Sequence, residues 1–279
     1  MLADRIRRKP GLKLFELFMI IFTLVYCFPF YLIVSTSMKT PPEILMSTLA
    51  LPKTFHLQNY IDAWEASNFP HVQLNTMIVS LTSVIGIILI ASMASFTIAK
   101  QANGLNRFLY YFFLSGVMIP VYTVLVPLLQ LLNNLRLMDA MPGLILVYIG
   151  QGMPFAVFLT VGFIRGFPKE IMEAGTIDGC SVYDLFWKIV LPSLKPIMAS
   201  LFILDLIWIW NDFLLPVLVL QNSEHFTITL SQYAFYGEYG TKWNIAFAGY
   251  MMAIIPLALI YAGLQKFVVK GISAGALKG

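Results

Sequence analysis

Six apolar stretches, each about as long as a lipid bilayer is thick, recur along this chain of 279 residues. An α-helix needs roughly 20 residues to cross about 30 Å of hydrocarbon. No water reaches that layer, so its backbone groups must be hydrogen-bonded within the protein, and only helices and closed barrels achieve this. Long runs favour helices over the short alternating strands of a barrel. The predicted spans are Leu14–Val34, Thr76–Ala99, Phe108–Leu132, Gly143–Phe163, Pro196–Leu220 and Ile245–Phe267.

Charged residues are too few for a water-soluble domain. They make up 11% of the chain and hydrophobic residues 59%, whereas soluble domains carry about 25% charged residues. We therefore expect an all-α integral membrane bundle of six transmembrane helices. The basic residues before the first run resemble the start of a signal peptide, but the run is too long for one and no cleavage-type site follows it. We interpret it as a retained first span.

The distribution of basic residues predicts the orientation. An even number of spans places both termini on one side, and cytosolic loops are enriched in lysine and arginine. With cytosolic termini, 14 of the 18 basic residues lie inside and 4 outside. This asymmetry explains the pI near 9.0 without a nucleic-acid partner. Predicted inside are Arg5, Arg7, Arg8, Lys9, Lys13, Lys100, Arg107, Arg165, Lys169, Lys188, Lys195, Lys266, Lys270 and Lys278, and predicted outside are Lys39, Lys53, Arg136 and Lys242.

Prolines interrupt several of the predicted spans. The third carries Pro120 and Pro127, the fourth has Pro154 beside Gly150, and the sixth has Pro256. Helix breaks are tolerated at membrane depth where the backbone faces protein or a water-filled cavity. These residues therefore predict broken helices in a bundle that encloses a pathway.

The first predicted external loop, residues 35–75, contains Tyr60, Trp64 and Phe69. Aromatic residues of this kind favour an interfacial segment at the membrane surface. A docking surface for an external partner fits the same sequence equally well.

The loop between the fourth and fifth predicted spans, residues 165–195, has the pattern of a helical hairpin. Pro168 suits the first turn of a helix, and the apolar spacing predicts that helix over Lys169–Ile177. Asp178-Gly179 is a turn dipeptide. Ser181 with Asp184 is typical of a capping box that opens a second helix, which is expected to stop at Leu191-Pro192. A simple connection could be shorter, so this hairpin is expected to present a surface to another protein.

The same hairpin resembles the signature of permease subunits of ATP-binding-cassette importers: E-A-A, three residues, G, nine residues, I-x-L-P. Gly175 stands where that pattern has its second alanine, which loosens the helix by roughly 1 kcal/mol. The resemblance implies a type I importer permease fold and a coupling helix seated in a cleft of the ATPase. Glu173 would be the polar anchor, Ala174 would permit close approach, and Gly179 would make the turn. The implied ATPase-coupling residues are Glu173, Ala174, Gly175, Asp178, Gly179, Ile189, Leu191 and Pro192.

Other segments resemble the sugar-importing branch of this family, in particular its maltose-type second permease. They are Leu51-Pro52 with Phe55, Asn59-Tyr60 and Trp64, then Trp210-Asn211, then the tail 271–279. The resemblance implies four kinds of partner: two copies of a cytosolic ATPase, a second homologous permease, an extracytoplasmic solute-binding protein, and a sugar.

Residues for nucleotide, metal or catalytic chemistry are missing from the sequence. No G-x-x-x-x-G-K-[ST] loop occurs, so the chain is expected to hold no nucleotide of its own and no cofactor, with ATP bound by partner subunits. His56, His71 and His225 are far apart and are interpreted as ordinary loop histidines. Cys27 and Cys180 are interpreted as structural.

Several polar residues inside the predicted spans are candidates for the substrate pathway. Asp205 and Asp212 are seven residues apart and would share one face of the fifth span. A carboxylate there costs about 2.5–3.5 kcal/mol, so it should face a cavity or a partner. Asn211 lies beside them, Trp208 and Trp210 could stack on a sugar ring, and Gln151 lies at the predicted break in the fourth span, where discontinuous helices bind solute. Alternatively, these polar groups hydrogen-bond neighbouring helices, or Asn211 and Asp212 close the pathway or contact the partner permease.

The predicted organisation is a cytosolic segment 1–13, a permease domain 14–267 that includes the coupling loop 165–195, and a cytosolic tail 268–279. The expected activity is import of a sugar or oligosaccharide across the cell membrane by alternating access, without chemistry on the substrate. Two alternatives stay open: a permease of the same superfamily for another solute, and an ion-coupled secondary transporter that uses Asp205 and Asp212. A membrane-embedded enzyme is disfavoured because no His, Cys or Ser constellation has catalytic spacing.

Overall fold

The computed structural model describes residues 10–100, 103–233, 235 and 242–276, and it describes side chains there except at 10–12, 169, 264 and 266–276. Predicted basic residues Arg5, Arg7, Arg8, Lys9 and Lys278 lie outside the described residues. Every regular element in the described part is helical. The α-helices are α1 Pro10–Ser37, α2 Pro41–Met46, α3 Gln58–Ala66, α4 Phe69–Lys100, α5 Gly104–Met118, α6 Val121–Asn134, α7 Met141–Arg165, α8 Lys169–Ile177, α9 Val182–Asp184, α10 Leu191–Ser193, α11 Lys195–Asn211, α12 Leu214–Val219, α13 Ile228–Tyr233 and α14 Trp243–Ala276. A π-helical segment, Leu185–Val190, joins α9 to α10, and Ser223–His225 form a 3₁₀ turn.

Four helices are each long and apolar enough to cross a bilayer: α1, α4, α7 and α14. They correspond to the first, second, fourth and sixth predicted spans. The helix α4 already begins at Phe69, so the external loop predicted to end near Asn75 is shorter, and His71 lies in the first turn of a helix.

The third predicted span is a bent pair of helices, and a second bent pair, Val182–Ser193 with Lys195–Asn211, leads from the hairpin into the fifth span. The helices α5 and α6 meet at an angle of 105°, and the helices on either side of Leu194 meet at 69°. The first bend falls at Ile119, which is extended (φ −86°, ψ 113°) because the following Pro120 disfavours helical backbone there. Pro127, also predicted to interrupt this span, stays inside α6. By length and composition, the described residues thus hold four helices that could cross a membrane, or up to six spans if each bent pair counts as one.

The break predicted at Gly150–Pro154 does not occur, because α7 is continuous from Met141 to Arg165. Its proline ring is accommodated by a neighbouring helix: a Cβ on Gly116 of α5 would lie 2.8 Å from Cγ of Pro154. Only a glycine leaves room for the ring at this crossing. Pro256 is likewise contained within α14.

The fifth predicted span ends earlier than its apolar run suggested. The helix α11 stops at Asn211 rather than near Leu220, and Asp212 is extended (φ −70°, ψ 134°). The carboxylate of Asp212 accepts the N–H of Leu214 at 3.1 Å, a local bond that competes with continued helix. Asp212 therefore lies beyond the end of the helix that carries Asp205, and the prediction that both share one helical face is wrong.

The chain divides into two compact units, of which one comprises the chain up to Phe69 with Gln232–Ile254 and the other comprises Pro70–Ser231 with the chain from Ile255. In the first, the amide of Asn59 donates to the carbonyls of Ser37 and Lys39 and accepts from Asn244 at 2.7 Å. In the second, the main core is built on α4, α7 and α11 and includes Ile87, Leu144, Val157, Leu201 and Leu206.

Candidate functional site

The first turn of the hairpin is closed by its own backbone. The N–H of Cys180 donates to the carbonyl of Gly175 at 3.0 Å, and that of Gly179 donates to the carbonyl of Thr176 at 3.1 Å. These two bonds form a Schellman motif, which needs a left-handed residue, and Gly179 supplies it with φ +80°. The predicted helix Lys169–Ile177 and the turn at Asp178-Gly179 are both confirmed.

A capping box fixes the start of the second arm. The hydroxyl of Ser181 accepts the N–H of Asp184 at 3.2 Å, and the carboxylate of Asp184 accepts the N–H of Ser181 at 3.3 Å. The same carboxylate is 2.6 Å from Nζ of Lys188 one turn later. Hydrogen bonds from Lys188 and Ser181 lower the pKa of Asp184 to about 2.

The second arm passes through Pro192 instead of stopping there, so that expectation is wrong. Because Pro192 has no N–H, the regular ladder cannot continue, and the chain widens into the π-helical segment, with Leu191 N–H bonded to the Phe186 carbonyl. The hydroxyl of Ser193 donates to the Ile189 carbonyl at 2.8 Å. The sharp bend follows at Leu194.

The hairpin has one buried and one exposed face. Gly175 is buried between the arms, whereas Glu173, Ala174 and Asp178 are exposed. The exposed face also carries apolar side chains, including Ile177 at 85% exposure and Tyr183 at 77%. The resemblance to the importer signature indicated Glu173. The exposed apolar residues were missed as surface residues because helical spacing assigned Ile177 to an apolar face without showing that the rest of the chain leaves it uncovered.

The buried face joins the hairpin to two membrane helices. Leu185, Phe186 and Val190 form a separate core cluster with Phe96 of α4 and Ile164 of α7. The rings of Phe96 and Phe186 are 5.5 Å apart. A shift of the hairpin must therefore also move the ends of α4 and α7 or disrupt their packing against it.

Within the unit that contains Pro70–Ser231, the structure brings together a polar cluster that the sequence only partly predicted. The hydroxyl of Tyr148 donates to Oδ2 of Asp212 at 2.8 Å, and Trp208 stands edge-on to the Tyr148 ring at 5.6 Å. Thr229 donates to the Asp212 carbonyl at 2.7 Å. The sequence analysis missed Tyr148. The feature that could have indicated it is a tyrosine hydroxyl within the apolar fourth span, three residues before Gln151.

The other pathway candidates are placed differently. Asn211 donates to the Ile207 carbonyl of its own helix at 2.7 Å. Trp210 is buried in the core and cannot stack on a sugar in this conformation, contrary to expectation. Asp205 is buried, and its Oδ2 has no hydrogen-bond partner among the described residues.

Gln151 faces a cavity rather than a helix break. The cavity has a volume of about 580 Å³ and lies between α5, α6 and α7. Its walls are almost entirely apolar, and Oε1 of Gln151 has no hydrogen-bond partner within the described part of the chain. Gln151 is thus the polar group on an apolar wall.

The histidines and cysteines form no metal site among the described residues. His225 was expected to be an ordinary loop histidine, but it has a partner: its Nδ1 lies 3.5 Å from Oδ1 of Asp139. Asp139 also accepts the N–H groups of Gln221 and Asn222 at 2.8 Å each, and these bonds lower its pKa. Cys27 and Cys180 are both free thiols.

Apolar spans, proline-bent helices and a hairpin rooted in two membrane helices define a multi-pass membrane protein of the permease type. The chain belongs to the family described as binding-protein-dependent transport system inner membrane component, which residues 86–274 match. The all-α permease fold, the membrane location and the non-catalytic transport role predicted from the sequence are confirmed.

Two relatives match over nearly their whole length. The probable starch degradation products transport system permease protein AmyC of Thermoanaerobacterium thermosulfurigenes is 35% identical over 93% of this chain and 94% of its own. The melibiose/raffinose/stachyose import permease protein MelC of Bacillus subtilis (strain 168) is 31% identical over 99% of this chain and 100% of its own.

A solved structure shares the fold. It is the crystal structure of a bacterial ABC transporter involved in the import of the acidic polysaccharide alginate, with a TM-score of 0.81 over 92% of this chain and 98% of the other chain. Its sequence identity is 18%, so the similarity concerns the fold alone.

Proposed function

We propose that this chain is the permease subunit of an ATP-driven importer and moves a sugar or oligosaccharide into the cell by alternating access. The observation that carries the proposal is the hairpin, whose exposed face around Glu173 is held rigidly on two membrane helices. The sugar assignment is supported by the relatives, whose names concern starch products and melibiose, raffinose and stachyose.

The proposed topology is six spans with both termini in the cytosol, in which α5 with α6 forms the third span and α11 forms the fifth. Residues 1–13 and 268–279 are then cytosolic, 14–267 form the permease domain, and the coupling loop 165–195 faces the cytosol. Two ATPase subunits, a second permease and an extracytoplasmic solute-binding protein complete the assembly.

The coupling step begins at the exposed face of the hairpin. Glu173 anchors the ATPase, and the uncovered Ile177 and Tyr183 supply apolar contact area beside it. Closure of the ATPases moves the hairpin as one body, since Gly175, Ile189 and Leu185 pack its arms together. The second arm continues through Leu191 and Pro192 into α11, so the motion reaches the helix that ends at Asn211.

The Asp212 cluster is the proposed pathway element of this subunit. Asp212 terminates α11 and is bonded to Tyr148 of α7, so a shift of α11 relative to α7 must stretch or break that bond. Trp208, about one-third exposed, offers an aromatic face next to it. Asp205 and Gln151 are further candidates because each leaves a buried oxygen unpaired in the described structure.

Glu173→Lys tests the coupling assignment. Uptake of radiolabelled oligosaccharide into cells should fall at least tenfold, while the amount of chain in the membrane stays normal. Glu65→Lys makes the same charge change at an exposed position of α3 and should leave uptake near wild type. Normal uptake by Glu173→Lys at normal expression would contradict the assignment.

Purification from the native membrane in mild detergent tests the assembly. A P-loop ATPase and a second permease should be recovered with the tagged chain and identified by mass spectrometry. The captured binding protein is then screened against sugars, and binding only of a non-sugar solute would overturn the sugar assignment. Recovery of this chain alone would overturn the importer itself.

A further inference from the structure

The segment after α1 folds back along that helix. The hydroxyl of Tyr31 donates to the Leu49 carbonyl at 2.5 Å, and that of Ser35 donates to the Ala50 carbonyl at 3.3 Å. Tyr31 precedes the end of α1, at Ser37, by six residues. The carbonyls of Leu49 and Ala50 are thus bonded by side chains from the last two turns of α1. We call residues 41–55 the hook and residues 47–51 its tip.

The chain returns to the end of α1 immediately after the hook. The N–H of His56 donates to the carbonyl of Met38 at 3.0 Å. The carboxylate of Glu43 also lies at this upper level, since it accepts the backbone N–H of Thr40 at 3.0 Å and that of Lys53 at 3.3 Å. Only the tip reaches down beside the helix.

The carbonyls of the tip are capped by side chains. Nζ of Lys39 donates to the carbonyls of Ser47 and Thr48 at 3.3 and 2.7 Å, and the next two carbonyls, of Leu49 and Ala50, are those bonded by Tyr31 and Ser35. Four consecutive carbonyls are thus satisfied without regular secondary structure. Water would satisfy them for a loop in solution, whereas hydrocarbon would not, and each unpaired group there costs several kcal/mol.

Several side chains of the hook are apolar and exposed. Leu45, Met46, Leu49 and Leu51 are 88%, 80%, 61% and 72% exposed. They continue the exposed apolar surface of α1 itself, whose side chains from Leu14 to Phe30 are largely uncovered. An apolar patch with a satisfied backbone suits lipid as its solvent.

We infer that the hook is a lipid anchor whose tip inserts into the membrane interface at the leaflet where α1 ends. The occupant of its apolar face is the glycerol and upper acyl-chain layer of that leaflet. The nearly fully buried Lys39 (1% exposed) holds the tip against α1. The anchor fixes the depth of the end of α1 in the bilayer, because the tip can neither rise nor sink without breaking these bonds. This inference rests on α1 being a span and not on the identity of the solute.

Site-directed spin labelling of the complete transporter in nanodiscs tests the inference. Leu49→Cys is labelled in a chain whose Cys27 and Cys180 are replaced by serine. Lys53→Cys, on the upper part of the same hook, is the matched control. Lipid-soluble oxygen should dominate the relaxation of the label at position 49, and a water-soluble nickel chelate should dominate at position 53.

Equal access of the nickel chelate at both positions would overturn the anchor and leave the hook in water. Shielding of position 49 from both reagents would also overturn it, because a protein subunit would then cover the tip. Leu51→Cys, within the tip and 72% exposed, provides a second label position if Leu49→Cys is not recovered in the complex. Removal of the binding protein should leave the oxygen signal unchanged.

Discussion

A Cβ atom on Gly175 would lie 2.7 Å from Cδ1 of Ile189, so the two arms of the hairpin meet where the family pattern otherwise has alanine. The neighbour on the other side, Cδ2 of Leu185, would also be 2.7 Å away. Both atoms are the ends of flexible side chains. They can rotate away from a methyl group but not from a larger side chain.

Gly175→Ala should therefore be tolerated, with transport within about twofold of wild type. Its gain in helix propensity, roughly 1 kcal/mol, offsets the cost of moving Ile189 and Leu185. Gly175→Leu should abolish transport, because several added carbon atoms would force the arms apart. Uptake and ATPase co-purification measure both variants, and equal loss in the two would show that Ile189 and Leu185 leave no room even for a methyl group.

The sequence predicted the hairpin well because its signals are local. Gly179 supplies the left-handed turn, and Ser181 forms a capping box with Asp184, only three residues later in the chain. The polar cluster could not be predicted in this way, since Tyr148 and Asp212 are 64 residues apart. The early end of α11 was missed because hydropathy reads Leu214–Leu220 as continuous span, while one carboxylate bond at Asp212 redirects the backbone. The hook escaped notice because its carbonyls are capped from α1 and Lys39.

The ion pair of Asp184 with Lys188 should make the hairpin less stable in acid. A carboxyl with a lower pKa when folded stabilises the folded state at any pH where it is ionised in both states, and this contribution disappears as pH falls through the folded pKa. The pKa of Asp184 is lowered from 3.8 to about 2. The contribution should be complete above about pH 5 and lost between about pH 4 and 2.

Melting temperatures of the wild type and Asp184→Asn measure this effect. Their difference should be constant from pH 5 to 7 and vanish near pH 2. Lys188→Met should lower the melting temperature similarly, and the double variant should be no worse than either single one, since the pair acts as a unit. Additive losses would show that Asp184 acts chiefly through its capping-box bonds with Ser181 and not through Lys188.

Tyr148→Phe should impair transport through the loss of its bond to Asp212. The change keeps the buried ring and its contact with Trp208 but leaves Oδ2 of Asp212 without that donor. The unpaired oxygen should cost about 1–3 kcal/mol of stability. Thr229→Val is the matched control, because it removes a bond to the Asp212 backbone carbonyl and spares the carboxylate.

Comparing the loss of uptake in Tyr148→Phe and Thr229→Val distinguishes a role of Asp212 in the transport pathway from a role in helix packing. If the carboxylate acts in transport, Tyr148→Phe should reduce the uptake rate several-fold more than Thr229→Val at equal loss of melting temperature. Parallel losses in the two variants would indicate that the cluster only holds α7 to the end of α11.

Lys39→Met should destabilise the unit formed by the hook and the end of α1. The substitution keeps the length of the side chain but removes the donor to the carbonyls of Ser47 and Thr48, at a cost of about 1–3 kcal/mol in unfolding free energy. Lys53→Met removes the same charge from an exposed position of the hook, where surface substitutions change stability by about 0.5 kcal/mol or less. Thermal unfolding in detergent compares the two variants. A drop in melting temperature confined to Lys39→Met is expected, because Lys39 is buried and donates to two backbone carbonyls whereas Lys53 is exposed. Equal shifts would mean that solvent caps the tip when the lysine is gone.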